Sequence, residues 1–418
     1  MAYINRFLEK IIIDLSNKYP VVMLTGARQV GKTTLLKYIA GNSHEKISFV
    51  SLDDLNERNF ANSDPKLFLE SHKYPLIIDE FQYAPNLLSY IKLVVDDLRY
   101  KHLHNDKIKC NGIYYLTGSQ KFLSMKNLSD SLAGRVGILE MFGLSQREIN
   151  STKNIFFDIE SINREKYDIE NNIHIEDIFE RIFYGGYPEL IENKIDKEMF
   201  FSSYVNTYIE RDIRSLINIK DEIKFNNFLI AVAARTGQEL NLNTIANEID
   251  ITIPTAKEWI SLLSNSGIIY ILKPYYENVI KRIVKRPKIY FLDTGLATYL
   301  TKHPNKDILM NSAYAGAIFE TFVVTEILKS YLNNGKMIDN FYYYRDNSKN
   351  EIDLIYDNNN TLYPIEIKKS ANPSSSIVNQ FKVLNETKKK LGRGLVICKY
   401  DKILPIDKNN LMFPVEFI

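Results

Sequence analysis

The chain has 418 residues, of which 45% are hydrophobic and 25% charged, and its formal net charge is +2. This composition is ordinary for a folded globular protein, and the length allows about two to four domains. Near-neutral charge means that any nucleic-acid surface must be local, and the longest apolar runs are too short to span a membrane. The two cysteines, Cys110 and Cys398, form no metal or disulfide pattern. We therefore expect a cytoplasmic protein without a membrane partner.

The most specific pattern lies near the N-terminus, where residues 26–33 read G-x-x-x-x-G-K-[ST]. The pattern follows the apolar run 21–24, which predicts a buried strand, and precedes residues 34–39, which have helical spacing. In such a strand-to-helix turn the glycines let the backbone surround phosphate groups. The lysine reaches the β and γ phosphates, and the threonine hydroxyl holds Mg²⁺.

We therefore expect ATP as the ligand and Mg²⁺ as its cofactor. Lys32 is assigned to the phosphates and Thr33 to both phosphate and metal. The residues expected to contact the nucleotide are Gly26, Ala27, Arg28, Gln29, Val30, Gly31, Lys32, Thr33 and Thr34.

A second apolar run, residues 75–78, ends in Asp79 and Glu80. Strands of doubly wound sheets place catalytic residues at their C-terminal ends. Because the pair follows a phosphate loop, we expect Asp79 to hold the Mg²⁺ shell. Glu80 would then orient or deprotonate the attacking water.

Two further positions each allow two interpretations. A third apolar run, residues 113–116, is followed by small polar residues that include Ser119. Ser119 either senses the γ-phosphate or belongs to an ordinary polar turn. Arg135, within residues 132–136, either supplies charge to the transition state or is an ordinary surface arginine. If it does act on ATP, the site is that of its own subunit or that of a neighbour.

The middle of the chain is charged and predominantly helical in pattern. Residues 150–180 are rich in Asn, Ile, Glu and Lys and predict a connector, and residues 198–218 have helical spacing. Four charged residues on the second segment form either a subunit contact or a salt-bridged helix face. They are Glu210, Arg211, Asp212 and Arg214.

Residues 225–273 predict three short helices and the start of a strand, the order of a helix-turn-helix with a wing. The helices are expected at 225–235, 242–248 and 253–263. The third would present Thr255 and Lys257 to DNA. A basic cluster that follows could meet phosphates, and consists of Lys281, Arg282, Lys285, Arg286 and Lys288. A winged helix used for protein contacts is the alternative.

From about residue 312 the pattern becomes one long helix, three strands, a helix and a strand. The first helix is expected at 313–331 and the strands at 341–345, 351–356 and 362–368, with a turn at 357–360. Alternation along the second strand places Glu351, Asp353 and Ile355 on one face, and along the third it pairs Glu366 with Lys368. The side chains of Asp353, Glu366 and Lys368 are therefore expected to converge.

These motifs resemble the AAA-type ATPases of bacteria and archaea, of the AAA_14 type, that carry a DUF4143 region at the C-terminus. The resemblance covers nearly the whole chain and rests on residues 25–34, 78–80, 116–119, 132–135, 185–189 and 208–213. It implies an α/β fold in four parts. They are a P-loop AAA-type ATPase domain at 1–150, a helical connector or lid at 151–224, a winged helix-turn-helix at 225–285, and an α/β nuclease-like domain at 286–418.

The last part resembles the PD-(D/E)xK nuclease-type fold, with Glu320, Asp353, Glu366 and Lys368 on its motif positions. The resemblance implies that Asp353 and Glu366 hold Mg²⁺, with Glu320 contributing from the helix. Lys368 would lower the pKa of the attacking water or stabilise the transition state. Pro364 departs from a regular strand, so the third strand is expected at an edge or bulged. A degenerate fold that keeps a structural Glu–Lys pair is the alternative.

The expected function is an Mg²⁺-dependent ATPase that couples its nucleotide state to DNA binding or cleavage. DNA and further copies of this chain are the expected partners besides ATP. The alternative is a regulatory switch in which ATP changes protein partners and the nuclease-like domain is an inert scaffold.

Overall fold

The computed structural model describes residues 3–118, 132–162, 175–193, 195–207, 221–277, 285–346, 348 and 350–418. Within those ranges the chain forms three sheets, each packed with its own helices. In the part of the chain so described, every helix is too short or too polar to cross a membrane.

The N-terminal module is a five-stranded parallel sheet with helices on both faces. In chain order its elements are α1 (Leu8–Ser16), β1 (Val21–Thr25), α2 (Lys32–Gly41), β2 (Ser48–Ser51), α3 (Leu55–Ser63), α4 (Pro65–Ser71), β3 (Leu76–Asp79), α5 (Leu87–His104), β4 (Tyr114–Gly118), β5 (Val136–Glu140) and α6 (Gln146–Ile149). Strands β1, β3 and β4 are buried along their whole length, which explains their continuous apolar sequences. The three strands predicted from those runs are confirmed, with small shifts at their ends.

The strand order of this sheet is β2-β3-β4-β1-β5, and all neighbouring strands are parallel. Because β4 lies between β1 and β3, the C-terminal ends of these three strands meet at one edge of the sheet. That edge therefore collects Thr25, Asp79 and Thr117, which lie far apart in the sequence.

Three helices follow, α7 (Ile175–Tyr184), α8 (Pro188–Asn193) and α9 (Lys197–Tyr204). The helix predicted at 198–218 is described only at its beginning, as α9. Glu210, Arg211, Asp212 and Arg214 lie outside the described residues.

The second sheet is small and belongs to a three-helix module. Its elements are α10 (Glu222–Ala233), β6 (Gln238–Glu239), α11 (Leu242–Ile249), α12 (Ile253–Asn265), β7 (Ile269–Leu272) and β8 (Lys288–Phe291). The side chains of Asn241 and Thr252 cap α11 and α12 by accepting backbone N–H groups. Strand β8 pairs antiparallel with both β6 and β7. The boundary after residue 285, which was expected between the third and fourth parts of the chain, would therefore divide this sheet.

The C-terminal module places a long buried helix beside a mixed sheet. Its elements are α13 (Thr294–Leu300), α14 (Lys306–Asn311), α15 (Ala315–Asn333), β9 (Phe341–Arg345), β10 (Glu351–Asn358), β11 (Thr361–Ile367), β12 (Lys390–Leu391), β13 (Gly394–Cys398), β14 (Leu404–Pro405) and β15 (Asn410–Pro414). The main strand order is β14-β15-β13-β11-β10-β9, with β12 paired to β11. Our prediction of one helix and one strand after β11 was wrong. Residues Ser375–Glu386 form a 3₁₀ helix, and four short strands follow it.

Two details of the predicted strands differ in the structure. Pro364 does not lie on an edge strand, because β11 pairs with β10 on one side and with β12 and β13 on the other. The proline falls between the residues that pair with β12 and those that pair with β13. The hydrogen-bond ladder on that side of β11 is interrupted there, so a backbone N–H group is not needed. Ile355 packs with Ile352 in one cluster, because the β10–β9 register shifts between these two residues.

One continuous apolar core joins the three modules. It extends from Leu8 of α1 and Leu24 of β1, through Trp259 of α12, to Ile318 of α15 and Phe413 of β15. The three modules therefore share one apolar core, which also includes Ala27 and Val30 of the phosphate loop.

Candidate nucleotide site and acidic cluster

The loop between β1 and α2 has a backbone conformation that requires glycine. Gly26 has φ of 145° and Gly31 has φ of 96°, values that residues with a side chain rarely adopt. A Cβ atom at Gly26 would lie 2.1 Å from the carbonyl oxygen of Met141. The glycines of the motif are therefore required by the shape of the loop, which ends at the N-terminus of α2, where free N–H groups attract anions.

Lys32 is buried within this loop, with only 5% of the residue exposed. Its Nζ atom donates to the carbonyl oxygens of Gly26 at 2.9 Å and Ala27 at 2.7 Å. Burial lowers the pKa of Lys32 to about 8, although Glu80 and Asp79 nearby oppose the shift. A bound phosphate would replace the two neutral carbonyls as the partner of this ammonium group.

Asp79, at the end of β3, accepts hydrogen bonds from two hydroxyl groups. Its Oδ1 atom accepts a hydrogen bond from Thr33 Oγ1 at 2.7 Å and another from Thr117 Oγ1. Asp79 itself is 5% exposed. The Thr33 hydroxyl and the Asp79 carboxylate are thus already adjacent, as a shared Mg²⁺ ion requires.

Glu80 follows directly and takes a left-handed backbone conformation, with φ of 53°. Its N–H group donates to Thr117 Oγ1 at 3.1 Å, and its carboxylate accepts a hydrogen bond from Gln82. Burial raises the pKa of Glu80, while the Lys32 ammonium opposes that shift. A carboxylate with a raised pKa beside the phosphate loop is suited to accept a proton from water.

Thr117 is the residue of this site that the sequence did not single out. Its hydroxyl donates to Asp79 and accepts from the Glu80 N–H group, so it fixes the relative positions of the two acidic residues. Only the strand order, with β4 beside β3, identifies it. Ser119, for which a sensor and an ordinary polar turn were both open, lies outside the described residues.

Arg135 lies at the opposite edge of the sheet. Its carbonyl oxygen accepts the N–H of Val21, the first residue of β1, whereas the phosphate loop begins after Thr25. That length of strand separates them by roughly 13 Å. The Arg135 guanidinium forms two hydrogen bonds with Asp96 of α5, at 2.6 and 3.0 Å. In this structure the Arg135 guanidinium is thus paired with Asp96 and lies away from the phosphate loop of its own subunit.

Elements outside the parallel sheet contact the phosphate loop from three sides. Arg6 Nη1 donates to the carbonyl oxygen of Val30 at 2.8 Å. A Cβ atom at Gly267, in the turn after α12, would lie 3.0 Å from the Ala27 nitrogen, and one at Gly31 would lie 3.7 Å from Pro188. The loop therefore touches the N-terminal segment, the start of α8 and the end of α12.

The acidic residues predicted in the C-terminal module do come together, but around lysines. Glu320 Oε1 accepts hydrogen bonds from Lys288 Nζ at 3.0 Å and from Tyr290 Oη at 2.7 Å. Glu366 pairs with Lys368, whose Nζ atom is 3.9 Å from Asp353 Oδ2. The pKa values of Glu320 and Glu366 are raised to about 7, mainly by burial and secondly by the nearby Asp353 carboxylate. No group of three or more His, Cys, Asp or Glu side chains within the described ranges is arranged to hold a metal ion.

The prediction that Lys288 meets phosphates was wrong. Lys288 is 2% exposed and points into the acidic residues, because its strand β8 packs against α15. Lys285 and Arg286 are exposed, and Lys281 and Arg282 lie outside the described residues.

The exposed surface of α11 and α12 carries mixed charge. Lys257 and Glu258 are neighbours on α12, while Thr255 is half-buried. On α11 and its C-terminal cap, Glu248 pairs with Arg235 and Asp250 pairs with Lys224. The described residues of these helices therefore do not form a basic surface by themselves.

Three family models match the chain in succession. One described as an AAA domain covers residues 18–150, one described as a domain of unknown function (DUF8612) covers 175–307, and one described as a domain of unknown function (DUF4143) covers 315–418. The first match contains the phosphate loop, Asp79, Glu80 and Thr117. It begins after α1, so Arg6 lies outside it.

Proteins with similar sequences occur in bacteria and archaea. The uncharacterized protein Rv2008c of Mycobacterium tuberculosis is 26% identical over 363 residues, 86% of this chain and 73% of its own length. The uncharacterized protein MJ1637 of Methanocaldococcus jannaschii is 24% identical over 319 residues, 68% of this chain and 63% of its own length.

Two solved structures are similar in part. The Walker-type ATPase of Pyrococcus abyssi aligns with 71% of this chain and 96% of its own, at 16% identity and a TM-score of 0.43. The ORC2 protein of Aeropyrum pernix aligns with 63% of this chain and 85% of its own, at 14% identity and a TM-score of 0.32.

Proposed function

We propose that this chain, which belongs to the AAA-type P-loop ATPases through its N-terminal region and to the DUF4143 family through its C-terminal region, binds and hydrolyses ATP with Mg²⁺. The observation that carries the proposal is the cluster at the edge of the parallel sheet, where Asp79 Oδ1 accepts hydrogen bonds from both Thr33 and Thr117. It lies beside Lys32 of the loop, whose ammonium group donates to two backbone carbonyl oxygens.

The residues present fit a nucleotide with its metal ion. The glycine conformations leave room for phosphate at the start of α2, and Lys32 supplies a buried positive charge. Thr33 and Asp79 would hold Mg²⁺, which when bound neutralises charge on the phosphate oxygens. Glu80 would orient a water molecule and accept its proton as that water attacks the γ-phosphate. Thr117 would keep Glu80 aligned with Asp79.

Nucleotide binding is tested with a fluorescent ATP analogue and purified protein, with and without Mg²⁺. Lys32→Ala is expected to weaken binding by at least about tenfold, because a buried charge–phosphate contact is lost. Thr33→Ala is expected to abolish most of the Mg²⁺ dependence. Lys37→Ala is the matched control, because Lys37 lies on the same helix but is exposed and stacks on Phe49. Equal affinity in the Lys32→Ala and Lys37→Ala proteins would refute the assignment.

We further propose that the nucleotide state is coupled to the surface formed by α12 and the wing. The support is the contact between the turn at Gly267, which ends α12, and Ala27 of the phosphate loop. DNA is the ligand proposed for this surface, through the exposed Lys285 and Arg286.

DNA affinity is then expected to change on addition of ATP and to fall in the double variant Lys285→Glu/Arg286→Glu. The salt dependence of binding should also become shallower by about two units in slope, since two phosphate contacts are removed. Lys10→Glu, an exposed charge reversal on α1, serves as the control. Affinity that responds neither to ATP nor to the wing reversal would contradict the DNA proposal.

A regulatory switch that acts on a protein partner is the second candidate. It is favoured by the mixed charge of α11 and α12 and by the lysine within the acidic cluster of the C-terminal module. In that case DNA binding is absent under all nucleotide states, while ATP binding still alters the accessibility of α12.

A further inference from the structure

The carboxylates of the C-terminal module surround a positive charge that belongs to the chain itself. The Nζ atom of Lys288 lies 2.6 Å from Glu351 Oε1, 3.0 Å from Glu320 Oε1 and 3.9 Å from Asp353 Oδ1. The lysine side chain is only 2% exposed. Three carboxylates from α15 and β10 thus converge on one enclosed ammonium group.

We propose that Lys288 is the resident cation of this cluster and occupies the position in which a nuclease-type site would hold a divalent metal ion. The residues on the expected metal motif therefore do not fit a metal in this conformation. This inference goes beyond the proposed ATPase function and does not rest on it.

The position of Lys288 is fixed by its strand. Lys288 and Tyr290 lie two residues apart on β8 and therefore face the same side, where both donate to the same oxygen of Glu320. Tyr343 of β9 donates to the carbonyl oxygen of Arg286, just before β8. These contacts hold β8, and with it the backbone of Lys288, against α15 and β9.

Both carboxylate oxygens of Asp353 have partners within the chain. Asp353 Oδ2 accepts the N–H of Ile367 at 2.8 Å and lies 3.9 Å from Lys368 Nζ. Its other oxygen faces Lys288, so Asp353 lies between two ammonium groups. Mg²⁺ binds carboxylate oxygens at about 2.1 Å. An Mg²⁺ ion bound to these carboxylates would therefore lie close to the Lys288 ammonium group and be repelled by it, with no water between the two charges.

The consequence is a structural role for a set of residues that otherwise resembles a catalytic site. Lys288 is on the sheet of the three-helix module, whereas Glu320, Glu351 and Asp353 are on the C-terminal module. The cluster therefore connects β8 of the three-helix module to the C-terminal module through buried, hydrogen-bonded charges. Loss of one partner of such a cluster leaves uncompensated buried charge.

The test is Mn²⁺ binding to the full chain without nucleotide, followed by the electron paramagnetic resonance signal of free Mn²⁺. Each protein carries Asp79→Asn, which removes the carboxylate expected to hold metal at the nucleotide site. The lysine is replaced in Lys288→Met, and Lys368→Met is the matched control. Both lysines lie 3.9 Å from Asp353, but the side chain of Lys368 is 39% exposed. A fourth protein combines Lys288→Met with Asp353→Asn, and a fifth carries Asp353→Asn with Lys288 intact.

The proposal predicts no Asp353-dependent Mn²⁺ site when Lys288 is present. Lys288→Met should gain about one Mn²⁺ per chain, as three carboxylates become available, and should lose it again with Asp353→Asn. Its thermal unfolding midpoint should rise with Mn²⁺, whereas that of Lys368→Met should not change.

A Mn²⁺ site in the protein with Lys288 intact that disappears in Asp353→Asn would overturn the proposal. So would a folded Lys288→Met protein that gains no Mn²⁺. If Lys288→Met does not fold even with Mn²⁺, the decision rests on the two proteins that keep Lys288. Their Mn²⁺ binding is compared with Asp353 intact and with Asp353→Asn. A difference between those two proteins overturns the proposal, and equality supports it.

Discussion

Arg6 and Glu148 form a buried ion pair, with Nε and Oε1 3.0 Å apart, at the junction between the phosphate loop and the C-terminal module. The other two guanidinium nitrogens of Arg6 donate to the carbonyl oxygens of Val30 and Phe142, both at 2.8 Å. Every nitrogen of this side chain therefore has a partner, and one of those partners belongs to the phosphate loop.

The same connection extends to α15. Glu148 Oε2 accepts the N–H of Ser145, and the next N–H, that of Gln146, donates to Glu326 Oε2 at 2.8 Å. Lys329 bonds both Glu326 and the carbonyl oxygen of Leu144. A rearrangement of the loop at Val30 would thus reach the helix that carries Glu320 through hydrogen bonds.

Arg6→Lys is expected to weaken ATP binding about three- to tenfold, because a lysine keeps the charge beside Glu148 but lacks the planar geometry to bond both carbonyls. The unfolding free energy should fall by about 1–3 kcal/mol as hydrogen bonds to a charged group are lost. Isothermal titration calorimetry and denaturant unfolding measure the two effects. The control is Arg99→Lys, since Arg99 also donates to a backbone carbonyl, that of Gly134, but in a solvent-exposed hydrogen bond. An Arg6→Lys protein that is destabilised yet binds ATP normally would confine Arg6 to a structural role.

Thr117→Val should slow ATP hydrolysis about 10- to 100-fold while ATP affinity changes by less than about threefold. The substitution keeps the shape of the side chain but removes the hydroxyl that bonds Asp79 and the Glu80 N–H group. Single-turnover hydrolysis and equilibrium binding separate the two quantities. Thr25→Val is the matched control on the neighbouring strand, where the hydroxyl donates to the Leu139 carbonyl oxygen. Equal rates in the two variants would remove Thr117 from the site.

Arg135→Ala and Asp96→Asn are expected to behave alike. Each should lower the unfolding free energy by about 0.2–1 kcal/mol, the range for a partly exposed ion pair, and leave hydrolysis within about twofold of the wild type. Rates measured over a range of protein concentrations check this. A loss of hydrolysis in Arg135→Ala alone that is restored by mixing with Glu80→Gln protein would instead show that Arg135 acts across a subunit interface.

Glu416 should make stability depend on pH near neutrality. Burial raises the pKa of Glu416 to about 7, although its own backbone N–H group and Lys399 oppose the shift. The folded protein therefore binds more protons than the unfolded chain between about pH 4.5 and 7, and this group costs stability as the pH rises through that window. Since Gln does not titrate, the unfolding free energy of Glu416→Gln relative to the wild type should increase by about 1–2 kcal/mol from pH 5 to pH 8.

Thermal and denaturant unfolding at the two pH values measure that difference. Glu258→Gln, an exposed substitution on α12, is the control for general effects of charge removal. A difference between Glu416→Gln and the wild type that is the same at pH 5 and pH 8 would show that the carboxyl group does not titrate in this range.

Local sequence signals identified most residues of the proposed nucleotide site because these residues follow their own strands directly. Each of these signals is local. The apolar run before Asp79 and Glu80 indicates one strand end, and the glycines around Lys32 indicate one loop. Thr117 was missed as an individual residue because its role depends on β4 inserting between β1 and β3, a long-range pairing that no local pattern encodes.

The acidic cluster shows the same limit more sharply. Alternation placed Glu366 and Lys368 together correctly, since both lie at the end of β11. Lys288 was assigned to a basic surface because its sequence neighbours are basic, yet packing of β8 against α15 buries it among carboxylates. The strand with Pro364 was expected at an edge or bulged for a related reason, because the sequence does not reveal where β12 ends and β13 begins.

The most direct test of the proposed ATPase mechanism is steady-state phosphate release from ATP by the wild type and by Glu80→Gln, with ATP affinity measured on the same samples. We expect Mg²⁺-dependent release by the wild type. Release by Glu80→Gln should be at least about 100-fold slower at unchanged affinity, because only proton acceptance from water is lost. A wild type that binds ATP without hydrolysing it, or a Glu80→Gln protein that is as fast as the wild type, would contradict the proposed ATPase mechanism.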